Sequence, residues 1–355
     1  MTARPVNPPA LQDHDALRKK FEEKADSILN GLESKSQVSY DCDALRELGV
    51  LLQHINVTDD QQSFDFKPLS EEEYSTYKID SSHSTGIPKH IRPHYDDFDA
   101  LFHWRSSWPL SDTALTYEKA FQIARYISIL KDYSEKDDAD NTFSIEQNSN
   151  WHQIMAEDSF NDGPQGMLCG LRIGHSKPLD LPKWRALSWR QWQEDPESPD
   201  TIRPHVMLMT CTGAVAESDN LLHGEIGPIV NAIQCRLFQD EFKQTSTFPV
   251  LVISLFGPRQ GRILSARFNI DGTLVVRASD IFDFKEKNQE GFDLFMRYYY
   301  SEPQDAAEFK LLLLLKTWTS PLSTDIQGYN DTYCFAMQRE LHCALGCALG
   351  MANGN

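Results

Sequence analysis

The sequence predicts an α+β fold in which a small antiparallel sheet packs against helices and the N-terminal part is mainly helical. Three observations carry this expectation. Apolar residues recur at helical spacing through much of residues 1–140. Apolar runs bounded by turn residues follow between 248 and 279. Helical stripes bracket those runs, so 223–303 reads helix, strand, strand, strand, helix.

In chain order, Asp13 or Asp15 caps a first helix carrying Leu17, Phe21, Ala25, Ile28 and Leu32, with Gly31 near its end. A second helix follows Asp41, with Leu45, Leu48, Leu52 and Ile55 on one face. Thr58–Pro93 is polar and reads as a surface loop. A third helix spans about Thr116–Tyr133, and the acidic run Ser134–Asp140 reads as a solvated linker. Residues 1–140 thus form the mainly helical N-terminal region, with its polar loop at 58–93. An α+β domain is expected over 151–355, with its core at 223–303.

Residues 151–200 are irregular and aromatic, with a short strand candidate at Met167–Ile173 and the tryptophans Trp184, Trp189 and Trp192. His205–Cys211 is the next strand. Ile226, Ile229, Val230, Ile233, Leu237 and Phe242 then form one apolar helical stripe. Phe248–Phe256 is apolar almost throughout, which suits a strand covered on both faces. Arg262–Phe268 and Thr273–Ser279 follow, joined through Asp271-Gly272 as a hairpin. Pairing across that turn puts Leu264, Ala266, Phe268, Val275 and Arg277 on one face. Ile263, Ser265, Arg267, Leu274 and Val276 fall on the other. A helix with Phe292, Phe295 and Tyr299 comes next, then a capping pattern at Asp305 and Glu308 ahead of Phe309–Trp318. A last helix is expected at about Thr332–Leu349.

The 52 acidic and 34 basic residues leave a formal charge of −18, which disfavours nucleic acid and anionic membrane as partners. The longest aliphatic run, Leu311–Leu315, is too short to span a bilayer. Met1–Asp15 has no apolar core that would serve as a secretory signal. The seven cysteines are odd in number and without paired spacing, and read as reduced thiols. The expected location is the cytoplasm, with the nucleus also open. The expected partner is a protein or small molecule, with no cofactor.

The stretch 248–284, FPVLVISLFGPRQGRILSARFNIDGTLVVRASDIFDF, and 294–303, LFMRYYYSEP, resemble a family of uncharacterised filamentous-fungal proteins. The resemblance covers the C-terminal third and carries no established activity. It implies, by association with biosynthetic gene clusters, an accessory role in fungal secondary metabolism.

Helix–strand–strand–strand–helix is also the core order of PD-(D/E)xK nucleases, whose chemistry needs carboxylates on Mg²⁺ and a lysine near the attacking water. The candidate catalytic residues are Glu225, Asp271, Asp283 and Lys285. Against this, Asp271 suits a turn, and the third strand carries Val275, Val276 and Arg277 where the motif belongs. A degenerate nuclease-like fold is therefore the alternative, and a non-catalytic binding or accessory protein the leading expectation.

Other clusters have plainer readings. His90, His94, Asp96, Asp97, Asp99 and His103 are dense in metal-ligand types, but Pro88 and Pro93 oppose a helix that would align the histidines. Gly257–Gly261 precedes a strand, whereas a phosphate loop precedes a helix. Arg259, Arg262, Arg267 and Arg277 either gather an anion or pair with nearby carboxylates, the second being preferred. His342, Cys343 and Cys347 read as a packing face. Trp184, Trp189 and Trp192 read either as a ligand pocket or as core. No metal site is expected.

Overall fold

A computed structural model describes residues 9–35, 37–57, 65–79, 87–99, 112–138, 141–154, 182, 184–195, 197–198 and 201–304. The strand candidate Met167–Ile173, the capping pattern at Asp305, the last helix and His342, Cys343, Cys347 and His103 lie outside the described residues.

The helices are α1 (Pro9–Lys35), α2 (Cys42–Glu47), α3 (Glu71–Tyr74), α4 (Arg92–Asp96), α5 (Asp112–Tyr133), α6 (His223–Phe238) and α7 (Gln289–Tyr299). A mixed sheet of eight strands crosses the molecule. Its path runs from β2 (Val50–His54) through β12 (Leu274–Ala278), β11 (Gln260–Phe268), β10 (Val250–Phe256), β8 (Ile202–Thr212) and β7 (Trp184–Gln193) to β6 (Trp151–Gln153). β13 (Phe282–Asp283) adds to β11. The small antiparallel sheet and the mainly helical N-terminal part are thus both corrected.

Two parallel pairings make the sheet mixed. β8 and β10 run parallel, with α6 as the crossover between them. β2 runs parallel to β12, so a strand from the N-terminal part closes one end of the sheet. The spacing of Leu45, Leu48, Leu52 and Ile55 had suggested a continuous helix. Instead Gly49, at φ 76°, ends α2, because only a residue without Cβ takes that conformation cheaply. The chain then extends into β2.

The sheet is covered on both faces, and side-chain alternation sorts its core. Val206, Leu208, Val250, Val252, Leu264, Ala266, Leu274 and Val276 meet α1 and α6. Met207, Met209, Leu251, Ile253, Leu255 and Ile263 meet α5 and α7. The predicted stripes are used as expected: Phe21, Ala25, Ile28 and Leu32 of α1 pack with Ile226, Ile229, Val230 and Ile233 of α6. Arg18 reaches across to the end of α6, donating to the carbonyls of Leu237, Phe242 and Thr245. Burial lowers its pKa, against the pull of Glu22 and Asp15.

The β11–β12 hairpin pairs one residue out of the expected register. Asn269 N donates to Thr273 O, and Gly272 N to Asn269 O, both at 3.0 Å, with Gly272 at φ 77°. The loop is therefore Ile270-Asp271-Gly272, a type I turn followed by a left-handed glycine, rather than Asp271-Gly272 alone. Asn269 Oδ1 also accepts from Asp271 N and Thr273 N. The pairs are Leu264–Ala278, Ala266–Val276 and Phe268–Leu274. A one-residue shift exchanges faces, so Val276 joins Leu264 and Ala266, and Arg267 and Arg277 share the opposite face.

Three further readings change. The acidic run at 134–140 contributes β4 (Glu135–Asp138), paired with β5 (Asn141–Ser144). The tryptophan stretch is the ten-residue strand β7, whose two register shifts against β8 spoil any simple alternation. The polar loop at 58–93 holds α3 and β3 (Phe66–Lys67), the latter paired with β14 (Glu302–Pro303), and α4 begins at its end. The remaining pair, β1 (Ser39–Tyr40) with β9 (Leu221–Leu222), ties the chain after α1 to the start of α6. Among the described residues, no helix is long and apolar enough to cross a membrane.

Candidate functional site

Glu225 sits at the first turn of α6 and is wholly buried. Its Oε1 accepts from Ser254 Oγ at 2.7 Å and Arg262 Nε at 2.9 Å. Its Oε2 accepts from Arg262 Nη2 at 2.5 Å and from Leu222 N at 2.8 Å. Arg262, also wholly buried, donates further to the carbonyls of Asn220 and Glu217. The carboxylate thus faces a guanidinium and two further donors.

Asp283 and Lys285 form an exposed pair at 2.8 Å. Slight burial opposes the shift, but hydrogen bonds from the Lys285 ammonium and amide hold the Asp283 carboxyl below its ordinary range. Asp283 pairs with Gln260, whereas Asp271 lies beyond Phe268 at the far end of the same nine-residue strand. At roughly 3.3 Å per residue, that strand separates the two carboxylates by well over 20 Å. The four candidate catalytic residues therefore do not converge.

The other candidates resolve similarly. Arg259 pairs with Asp99, Arg262 with Glu225, and Arg267 and Arg277 with Asp65. Gly257–Arg259 is the tight turn between β10 and β11, with Arg259 at φ 65°. His94 does lie on a helix, α4, with Pro93 tolerated in its first turn. Asp96 there pairs with Arg92. No three His, Cys, Asp or Glu side chains gather to hold a metal among the described residues. Trp184 is buried core, its Cβ so close to α6 that a Cβ on Gly224 would stand 3.0 Å away.

A cleft of about 830 Å³ opens elsewhere, between α3, α4, the end of α5 and α7. Two backbone anchors hold its walls. Leu69 N donates to Arg297 O at 3.1 Å and Arg297 Nε to Leu69 O at 2.6 Å, which ties the α3 segment to α7. Lys78 and Glu135 exchange backbone hydrogen bonds of 2.8 and 3.0 Å, which ties the chain after α3 to β4. Ser70 caps α3 by accepting from Glu73 N, and so presents Tyr74 at the helix end.

No family model, curated protein or solved structure matches the chain.

The cleft lining is of mixed polarity, with Glu71, Lys78, Glu290, Asp293 and Arg297 charged. Tyr74, Tyr77, Tyr95, Phe282 and Leu294 supply ring and aliphatic surface. Asp293, on α7, is half-buried and accepts from Gln289 Nε2 at 2.7 Å and from Tyr74. Burial raises its pKa, hydrogen bonds from Gln289 and Tyr74 pull the other way, Glu71 pushes it up again and Arg297 opposes. Burial and the neighbouring Asp293 push the Tyr74 hydroxyl up, so it keeps its proton as a donor. Burial also raises Tyr95, with Asp96 adding to it.

Behind the cleft wall lies Tyr126, whose ring stacks on Tyr95 with centroids 6.0 Å apart. The Lys287 ammonium sits over both rings, 4.8 Å from Tyr95 and 5.2 Å from Tyr126. None of these residues had been singled out by pattern. The available signals were the Ser70-to-Glu73 capping spacing and the Tyr74/Tyr77 pair inside an otherwise polar stretch.

Proposed function

We propose that this chain is a non-catalytic binding protein whose small-molecule ligand enters the tyrosine-lined cleft. The observation that carries the reading is the half-buried Asp293, hydrogen-bonded by Tyr74 and Gln289 beside the rings of Tyr77 and Tyr95 in a cleft of mixed polarity. A concave site that joins aromatic surface, convergent polar groups and a perturbed titratable residue is a candidate ligand site. The bidentate closure of Glu225 by Arg262 supports the non-catalytic part, since a paired carboxylate is a poor ligand for Mg²⁺.

An accessory role in a fungal biosynthetic pathway belongs to the same proposal and rests on the C-terminal resemblance alone. A cytoplasmic location is also part of the proposal, and the unbridged Cys42, Cys211 and Cys235 support it.

A thermal-shift screen of pathway metabolites tests the reading, with Ser75→Trp as the comparison. Ser75 lies exposed on the cleft rim, so a bulky ring there blocks entry without disturbing the core. A ligand should raise the melting temperature of the parent but not of Ser75→Trp, and mass spectrometry should recover it unchanged. Turnover of the ligand would overturn the non-catalytic reading. Equal stabilisation of both proteins would remove the cleft.

A further inference from the structure

We infer that the ligand class of this cleft is an organic cation, an ammonium group carried on an apolar or aromatic body. The inference rests on the cleft reading above and specifies it. Three features bear on it.

First, among the described residues no guanidinium or ammonium is bonded to Asp293. Its hydrogen bonds come from the neutral groups of Gln289 and Tyr74. Of the other charged lining residues, Glu71 and Glu290 add negative charge, while Lys78 and Arg297 add positive charge without bonding to Asp293. An ionised carboxylate there is offset by no direct cationic partner, and a ligand ammonium supplies one.

Second, Tyr126 is completely buried, and its hydroxyl has no hydrogen-bond partner among the described residues. The charged and polar groups that act on it are Tyr95, Asp293, Tyr74 and Asp96, three of which line the cleft. A buried hydroxyl left without a partner is uncommon, and this one lies behind Tyr95, beside the cleft and not in its lining.

Third, the Tyr95–Tyr126 ring pair already holds a cation, the ammonium of the chain's own Lys287. Ring faces attract ammonium groups through their quadrupole, more strongly where water is excluded. Lys287 is an exposed residue near the start of α7 and so can leave. It acts as an internal stand-in that a ligand ammonium displaces.

Isothermal calorimetry with four probes of similar shape tests this: phenethylamine, benzyltrimethylammonium, benzyl alcohol and benzoate. The two cations should bind at least tenfold more tightly than the neutral and anionic probes. Asp293→Asn should weaken the cations at least tenfold and leave benzyl alcohol unchanged. Lys287→Met should tighten the cations severalfold by removing the internal competitor, an effect that loss of a structural contact would not produce. If Asp293→Asn does not fold, Tyr74→Phe serves as the second variant and should weaken the cations severalfold.

Equal binding of charged and neutral probes, or indifference to Asp293→Asn, overturns the cation inference. Benzyl alcohol or benzoate binding the parent as tightly as the cations, and losing that binding in Ser75→Trp, would sink the cation inference while leaving the cleft reading intact. No binding by any probe also ends the cation inference, and the metabolite screen then decides the cleft on its own.

Discussion

Arg262 meets Glu225 with both side chains withdrawn from water, its guanidinium donating to one carboxylate oxygen at 2.9 Å and to the other at 2.5 Å. The pair joins the first turn of α6 to the start of β11, and Ser254 of β10 completes it. Breaking a buried pair from one side strands the other charge, at a cost of about 3–5 kcal/mol. Arg262→Met or Glu225→Gln alone should therefore lower the urea midpoint sharply. The double variant Glu225→Gln/Arg262→Met should recover part of the loss, because neither charge is left behind. A single variant as stable as the parent would show that the pair contributes nothing.

The hairpin loop gives a second test. Gly272 holds φ 77°, where a residue with Cβ is disfavoured by about 1–2 kcal/mol. A Cβ there would also stand 2.9 Å from Lys20 Cε, the end of a flexible side chain that can move. Gly272→Ala should therefore cost about 1–2 kcal/mol, nearly all of it conformational. Asn269→Ala should cost a similar amount by removing the acceptor of two loop amides. Denaturant titration measures both, and an unchanged midpoint for Gly272→Ala would contradict the observed turn.

Gly257 tests packing instead of conformation. A Cβ at this position would overlap Thr116 Cγ2, on α5. Gly257→Ala must push the β10–β11 turn away from that helix, which should cost about 1–3 kcal/mol, as overpacking usually does. Thr116→Ala in the same chain should restore part of the stability. Failure of the pair to recover anything would place the cost elsewhere.

Asp293 sets a pH dependence whose sign follows from its raised pKa. The folded carboxyl holds its proton more tightly than the unfolded one, whose ordinary value is 3.8. It therefore contributes stability that is whole below pH 3.8 and lost as pH rises through the elevated folded value. Asp293→Asn should flatten that part of the profile and be more stable than the parent at neutral pH. Denaturation midpoints across the acid range check this, and parallel profiles for the two proteins would refute it.

The sheet's centre was legible because local signals agreed there. The stripe Ile226–Leu237, the apolar run at 250–256 and the glycine near 272 each specify their element without help from distant chain. What escaped was non-local. Nothing in Val50–His54 announces a parallel partner at Leu274–Ala278, and the preceding leucines mimic a helical stripe until Gly49 interrupts it. β7 was obscured by its two register shifts, which spoil the alternation that marks a strand. The cleft was less legible still, because Tyr74, Tyr95, Leu130 and Asp293 come from four separate helices. Each looks ordinary in its own stretch, and chemistry emerges only when backbone anchors such as Leu69–Arg297 bring the stretches together.

The parallel ladder between β2 and β12 also bears on how the molecule is made. Its two strands are separated by more than two hundred residues, yet they sit side by side at one end of the sheet. During synthesis β2 leaves the ribosome long before β12 exists, and it must wait without its sheet neighbour while most of the chain is still being added. Closing so long a loop costs only modest extra entropy, but non-local pairing of this kind is slow. An unpaired Val50–His54 is meanwhile an open template for other chains. The strand built early and placed late is thus the point at which a nascent chain most needs protection from its neighbours.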